Sequence, residues 1–289
     1  MKNIGIFVVF LATVFLSTKS IWAKLIYLDS LSPLSVLAFR AVLSLPFFLI
    51  PMIRFDWTCV DSSKVFKEAF IGSILYLISS IADFMGLLYI SASLERAVLF
   101  TFPIYVLLLS SDLSRITFSK VALILSTVLG LAIMFNPTVD NHFMDTIKGI
   151  LLVLLSAIFW ALFIIYSKRV VSNISPAIFT STYMCITTLL LLVGFIINSE
   201  SFAIISNLQF HTIIYLFFLA VFCSIIPSYL MSFGLKRINA PLAAVISAMG
   251  PIVTLGLDVV ILNHNLSLNE IVGAIIVTVS VTCLTRLNI

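Results

Sequence analysis

Six ionisable side chains stand inside otherwise apolar stretches: Lys19, Arg40, Asp83, Glu95, Arg96 and Asp258. A charge within a hydrocarbon-spanning segment is costly and turns towards the bundle interior or a wet cavity, so each is a candidate for binding a solute or handling a proton. Their charges sum to zero, which equally suits mutual ion pairs that fix helix register. Glu95 and Arg96 are neighbours, about 100° apart around a helix, and are expected to meet different partners. Asp258 lies near the end of its stretch and is expected at the interface. Hydroxyls add a second pattern. Thr13, Ser17 and Ser20 share a helical face with Lys24, Tyr76 and Ser80 share one with Asp83, and Ser224, Ser228 and Ser232 follow at helical spacing beside Pro227. One such stripe is ordinary helix packing. Three of them suit a shared wet cavity, with Trp160 and Tyr166 as stacking surfaces.

Other chemistry is excluded by what the chain lacks. There is no HExxH, no serine–histidine pair at depth and no GxxxxGK[ST], so neither an intramembrane hydrolase nor a self-contained ATP-driven pump is indicated. His142, His211 and His264 share no ligand spacing and read as solvated loop residues, so no metal site is expected. Cys59, Cys185, Cys223 and Cys283 have no CxxC spacing and read as small packing residues. No residue points to a cofactor, and the basic residues are scattered singly, which argues against nucleic acid.

The elements that must position these residues are membrane spans. Of 289 residues 62% are apolar and only 10% charged, against about 25% charged in soluble domains. A bilayer core needs roughly 20 apolar residues per helix, and a backbone in lipid must satisfy its own hydrogen bonds. Ten spans are predicted, near 4–28, 34–54, 69–90, 92–112, 118–136, 147–168, 176–197, 212–236, 240–262 and 267–287. Lys2 followed by an apolar run, with Ala23 beyond it, also has the make-up of a signal peptide. The run is long enough to span, and it has a counterpart later in the chain.

That counterpart belongs to an internal repeat. Gly5 to Lys24 reads GIFVVFLATVFLSTKSIWAK and Gly149 to Lys168 reads GILLVLLSAIFWALFIIYSK. Each is followed by a polar turn and a proline, Pro33 or Pro176. Later, ASLERAVLFTFPIYVLLL from Ala92 answers APLAAVISAMGPIVTLGL from Ala240, with Pro103 and Pro251 in the same place. The expected fold is therefore an all-α membrane protein whose ten transmembrane helices form two inverted five-helix repeats, 1–139 and 140–289. The odd number of spans per half turns the second half upside down relative to the first, an arrangement common among secondary carriers. Pro103 and Pro251 are candidate hinges, because proline removes a helix hydrogen bond and clashes with the carbonyl four residues earlier.

The chain resembles the drug/metabolite transporter superfamily, specifically its EamA-type ten-helix members. The residues that carry the likeness are the first span ending at Lys24, Ser32-Pro33 through Arg40, and Gly86 to Tyr89 leading into Ile90 to Ser93. Pro103, Gly130, the stretch Gly234 to Asn239 leading into Ala240 to Ala243, and Pro251 complete it. It departs from the family in Lys19, where a small or amide residue is common, and in Asn263-His264-Asn265, where an acidic residue is common. Ser110-Ser111-Asp112 stand at the first-half counterpart of the latter. The resemblance implies a secondary transporter that moves a small metabolite (an amino acid, a nucleotide-like compound or a drug) by alternating access. The other classes weighed are a non-transporting receptor or assembly subunit and an intramembrane enzyme. The partners expected are a small-molecule solute, the lipid bilayer and a proton as coupling ion. The site residues expected are Lys19, Arg40, Tyr76, Ser80, Asp83, Glu95, Arg96, Ser17, Ser20, Trp160 and Ser228.

Basic residues set the orientation. With the N-terminus in the cytoplasm, eleven of the sixteen Lys and Arg residues fall on the cytoplasmic side and only Lys24 and Lys148 in outer connections. Both termini are expected in the cytoplasm, in a bacterial inner membrane. Reporter fusions after Leu113 and Asn173 should read cytoplasmic, and one after Asp140 outside; an outside reading at Asn173 would refute both the span count and the inverted repeat.

Overall fold

In a computed structural model, residues 2–59, 61–110, 118–134, 143–197, 208–247, 250–262 and 267–286 are described. Among them regular structure is helical and no strand occurs. The helices are α1 (Lys2–Ser17), α2 (Lys19–Tyr27), α3 (Pro33–Ile53), α4 (Ser62–Gly86), α5 (Ala92–Leu99), α6 (Phe102–Ser110) and α7 (Phe118–Met134). They continue with α8 (Phe143–Asn173), α9 (Pro176–Ile197), α10 (Phe210–Ala220), α11 (Ile226–Arg237), α12 (Ala240–Ser247), α13 (Gly250–Leu262) and α14 (Leu268–Arg286). Several starts are set by side chains that take an otherwise orphaned amide. Ser32 accepts from the Ser35 amide ahead of Pro33, Asp61 from that of Lys64, and Ser91 from that of Leu94. Ser267 and Glu270 cap α14 reciprocally, each side chain accepting from the other's amide.

Six continuous stretches are long and apolar enough to cross a membrane: Asn3–Tyr27, Pro33–Ile53, Ser62–Gly86, Phe143–Asn173, Pro176–Ile197 and Phe210–Arg237. Shorter apolar helices are Val121–Ile133 and Leu268–Cys283. Large apolar side chains cover the outside, with Val260 75% and Leu268 79% exposed. A water-soluble surface would not carry such a coat, whereas hydrocarbon accommodates it. The chain is an integral, multi-pass α-helical membrane protein.

Three expected spans are interrupted. The first breaks at Thr18, whose amide bonds the Phe15 carbonyl at 3.2 Å in a tightened turn and whose hydroxyl bonds the same carbonyl at 2.8 Å. The span expected at 92–112 is two helices, α5 and α6, separated at Phe100–Thr101. Pro103, the second residue of α6, has no amide hydrogen to give the Leu99 carbonyl, and the chain turns there instead. Pro251 is likewise the second residue of α13. The stretch Phe210–Arg237 contains a π-helical turn at Val221–Ile225, just before Pro227. A π turn widens the helix by one residue and often marks a functional site.

The most extensive packing always joins an element before residue 139 to one after it: α1 with α11, α3 with α9, α4 with α8, and α7 with α14. Two of these crossings are built alike. Gly86 of α4 meets Gly149 of α8 so closely that a methyl group on Gly86 would lie 2.6 Å from Val153 and 2.9 Å from the Gly149 carbonyl. Gly5 of α1 meets α11 in the same way, its methyl 2.8 Å from the Arg237 side chain, and a methyl on Gly234 would collide with Val9. Val9 stands four residues after Gly5, as Val153 does after Gly149. Overpacking such a contact costs about 1–3 kcal/mol. Gly234→Ala should therefore lower the thermal midpoint of the detergent-solubilised protein, and adding Val9→Ala should restore most of the loss; no recovery in the pair would show that the crossing is not limited by Val9.

Candidate functional site

The helix interruptions border a central cavity. Its first-half lining includes Lys19, Arg40, Tyr76, Ser80, Asp83 and Arg96, and its second-half lining includes Ser156, Trp160, Cys223, Met231 and Ser247. Two smaller pockets adjoin it. One, lined by Trp160, Phe163, Tyr183, Ser228 and Met231, shares Tyr76 with the main cavity. The other, lined by Ser44, Thr187, Thr188 and Ser224, shares both Tyr76 and Arg40.

The charged residues form one cluster. Lys19, the first residue of α2, donates to Asp83 of α4 and lies 3.7 Å from Glu95 of α5. Arg96 bonds across to the first span, from Nε to Ser20 Oγ at 2.9 Å and from Nη2 to the Leu16 carbonyl at 2.6 Å. Its Nε is also 3.4 Å from Glu95. The two neighbours on α5, expected to part company, thus meet different residues of the first span and each other as well, because the break at Thr18 turns Lys19 and Ser20 towards the same end of α5. Glu95 is fully buried, and neither of its carboxylate oxygens accepts a hydrogen bond.

Arg40 differs from the rest. It is 4% exposed and its guanidinium lies 5.3 Å from the centre of the Phe84 ring. Among the described residues it has no ion pair and no hydrogen-bonded side-chain partner. A cation over a ring face gains only about 0.5–2 kcal/mol, well short of what a carboxylate partner supplies.

Other expected residues take different roles. Ser17 does not line the cavity: its hydroxyl returns to the Thr13 carbonyl at 2.7 Å and its own carbonyl accepts from Thr254. Ser20 holds Arg96 and is otherwise buried. Trp160 packs against Phe163, with ring centres 5.3 Å apart, at the cavity wall. Ser228 lies on the adjoining aromatic pocket. Asp258, expected at the interface, is 2% exposed and accepts from the Ser93 hydroxyl, since α13 packs along α5 and covers it. His211, expected as a solvated loop residue, sits in the first turn of α10 beside Asp29, 3.1 Å from its carboxylate, which also takes the Thr212 hydroxyl. His142, His264, Asp112 and Asn263 to Asn265 lie outside the described residues. Tyr166 does not reach the cavity and bonds Glu68 instead. Cys185 and Cys223 are buried free thiols.

Several lining residues, Ser79, Ser156 and Ser247 among them, gave no signal in the sequence. Ser79 and Ser156 face each other at 3.1 Å, as Thr13 and Ser247 do at 3.2 Å. Cys223, in the π-helical turn, meets the Thr18 hydroxyl at 3.1 Å, so the interruptions in the two spans touch. Each of these contacts joins residues far apart in sequence, and only Pro227 beside Ser224 hinted at irregular backbone.

Comparison with known proteins gives a consistent picture. Residues 147–286 match the model of the EamA-like transporter family. The uncharacterized transporter YcbK of Bacillus subtilis is 26% identical over 276 residues, covering 93% of this chain and 88% of that protein. An uncharacterized transporter of Haemophilus influenzae is 30% identical over 141 residues, which are 48% of this chain and 82% of the relative. One of Archaeoglobus fulgidus is 31% identical over 159 residues, 53% of this chain and 54% of the relative. A crystal structure 16% identical in sequence superposes with a TM-score of 0.71 over 98% of each chain, a likeness of fold.

The ion-pair geometry predicts unequal effects of substitution. Lys19→Met leaves Asp83 and Glu95 without their shared cation and should cost about 3–5 kcal/mol, seen as a sharp loss of folded protein in membranes. Lys19→Met with Asp83→Asn leaves Glu95 beside Arg96 and should recover most of that yield. A double variant as poorly folded as the single would mean that the pair is not what holds these helices together.

Proposed function

We propose that this chain, which belongs to the EamA-like transporter family, is a secondary carrier that moves a small metabolite across the bacterial inner membrane by alternating access. The observation that carries this reading is the central cavity, lined from both halves of the chain and holding buried charges that a purely structural core would avoid. Transporter names among the relatives support it at the level of class.

The inverted repeat of two five-helix halves, 1–139 and 140–289, is part of the proposal. It is supported by the matched glycine crossings, Gly86 with Gly149 and Gly5 with Gly234. It is supported also by the matched places of Pro103 and Pro251, each the second residue of its helix. If the halves rock about the solute, these crossings are where they roll on one another, because glycine brings the helices closest together there. Opening one end then requires parting α2 from α10, where Asp29 holds Thr212 and His211; opening the other requires parting α4 from α8, where Tyr166 holds Glu68. Lys19 and Asp83 belong to the solute or coupling site in this scheme.

The test is flux. Purified protein in liposomes should exchange labelled metabolites by counterflow, and the folded Lys19→Met with Asp83→Asn variant should exchange them at least about tenfold more slowly. Full exchange by that variant would reduce the pair to scaffolding. Replacing both Pro103 and Pro251 with Ala should slow exchange more than it lowers folded yield, and unchanged exchange would mark static kinks.

A further inference from the structure

We infer that the solute is a small organic anion, a carboxylate with an apolar or aromatic body, and that Arg40 receives its charge. This names the solute class of the cavity and rests on the carrier reading.

The charge pattern around the cavity leads to it. Lys19, Arg40, Arg96 and Asp83 line the cavity, and Glu95, which does not, lies against Lys19 and Arg96 from behind, which leaves one positive charge in excess in this cluster. The sixth buried charge, Asp258, is held by Ser93 on α5 and does not line the cavity. The excess falls on Arg40. Lys19 is taken by Asp83, and Arg96 is satisfied by Ser20, Leu16 and Glu95, whereas Arg40 has only the Phe84 ring. A buried guanidinium without an anion is expensive, so such a group persists where an anion arrives from outside. Its planar fork matches a carboxylate in two parallel hydrogen bonds. Tyr76, whose hydroxyl has no hydrogen bond among the described residues, lines the same space and can donate a further one.

The site has no comparable place for an ammonium group. The Asp83 oxygen that is not on Lys19 is sealed from solvent, and so are both oxygens of Glu95. A zwitterion would therefore bring a positive group to a site already in positive excess. The body of the solute is set by the other wall. Counting from the glycine crossings, Phe163 stands after Gly149 where Lys19 stands after Gly5, and Met231 before Gly234 where Asp83 stands before Gly86. The second half thus presents Trp160, Phe163, Tyr183 and Met231. Tyr76, Phe84, Phe100 and Phe102 line the main cavity among the charges, and the adjoining pocket extends that aromatic surface, so the space joins charge to an apolar, aromatic lining, as an amphipathic acid does.

Four probes with one ring and different ends separate the outcomes: 3-phenylpropanoate, 3-phenylpropanamide, phenylalanine and 3-phenylpropylamine, titrated by tryptophan fluorescence on the full chain in detergent. The propanoate should bind at least about tenfold more tightly than the other three, one good charged hydrogen-bonding interaction's worth. Arg40→Gln should abolish that preference, and Arg40→Lys should retain part of it. Because Arg40 holds no carboxylate, Arg40→Gln should also keep or raise the thermal midpoint of the solute-free protein, in contrast to Lys19→Met. Equal binding of the amide, tighter binding of phenylalanine or the amine, binding of none, or a preference that survives Arg40→Gln would each overturn the inference. Flux separates it from the carrier reading. Anion-selective binding without exchange in liposomes would sink the carrier and keep the anion site; exchange without anion selectivity would do the reverse.

Discussion

Lys19 placed between Asp83 and Glu95 is the interaction on which the rest of the interior depends. Three charges from three helices are removed from water at one point, and each is tolerable only while the others stay. The geometry constrains α2, α4 and α5 to one mutual arrangement. It also settles where Arg96 goes, because Glu95 draws it towards the first span, where Ser20 and Leu16 complete its bonds. A network of this kind contributes little net stability compared with a hydrocarbon core. Its effect is to make other packings of the same apolar helices worse, which matters in a bundle whose surfaces are otherwise alike.

The backbone irregularities follow from the same requirement. A straight first helix would carry Lys19 and Ser20 around with the turns that precede them. The tightened turn at Thr18 redirects them, and the π-helical turn at Val221–Ile225 leaves Cys223 in contact with Thr18. On the opposite wall, the separation of α5 from α6 sets Phe100 and Phe102 beside the cavity. Broken helices at membrane depth are tolerated where they line a cavity or are buried in protein, and all of these are. The cavity is thus the place where the rules of regular helix packing are relaxed, and the charged cluster is what makes the relaxation reproducible.

Much of this was legible in the sequence. Apolar runs gave membrane helices, and the charges inside them marked the candidates for mutual ion pairs, because an ionisable group in hydrocarbon has few places to go. The Gly and Pro landmarks marked the crossings and interruptions without revealing what they touch. What escaped was governed by contacts between distant residues. Whether Ser17 faces the cavity depends on Thr254 of α13, and whether Asp258 is interfacial depends on α5 covering it. Apolar periodicity in a membrane helix is weak, since lipid and protein interior attract the same side chains, so neither the face presented by each helix nor the π-helical turn could be read from spacing. Arg40 was recognisable as a buried cation, but its lack of a partner is a property of the assembled bundle.

The distribution of charged partners along the chain bears on how the protein is made. Lys19, Asp83, Glu95 and Arg96 all lie before residue 97, and every contact that satisfies them is found within that stretch. Chains enter the membrane from the N-terminus, so these groups can neutralise one another while the second half is still on the ribosome. Asp258 arrives last and finds Ser93 already in position. Apart from Arg40, the buried charges of the nascent first half therefore need not wait in the bilayer unpaired, and the interval in which quality-control proteases could recognise them is correspondingly short.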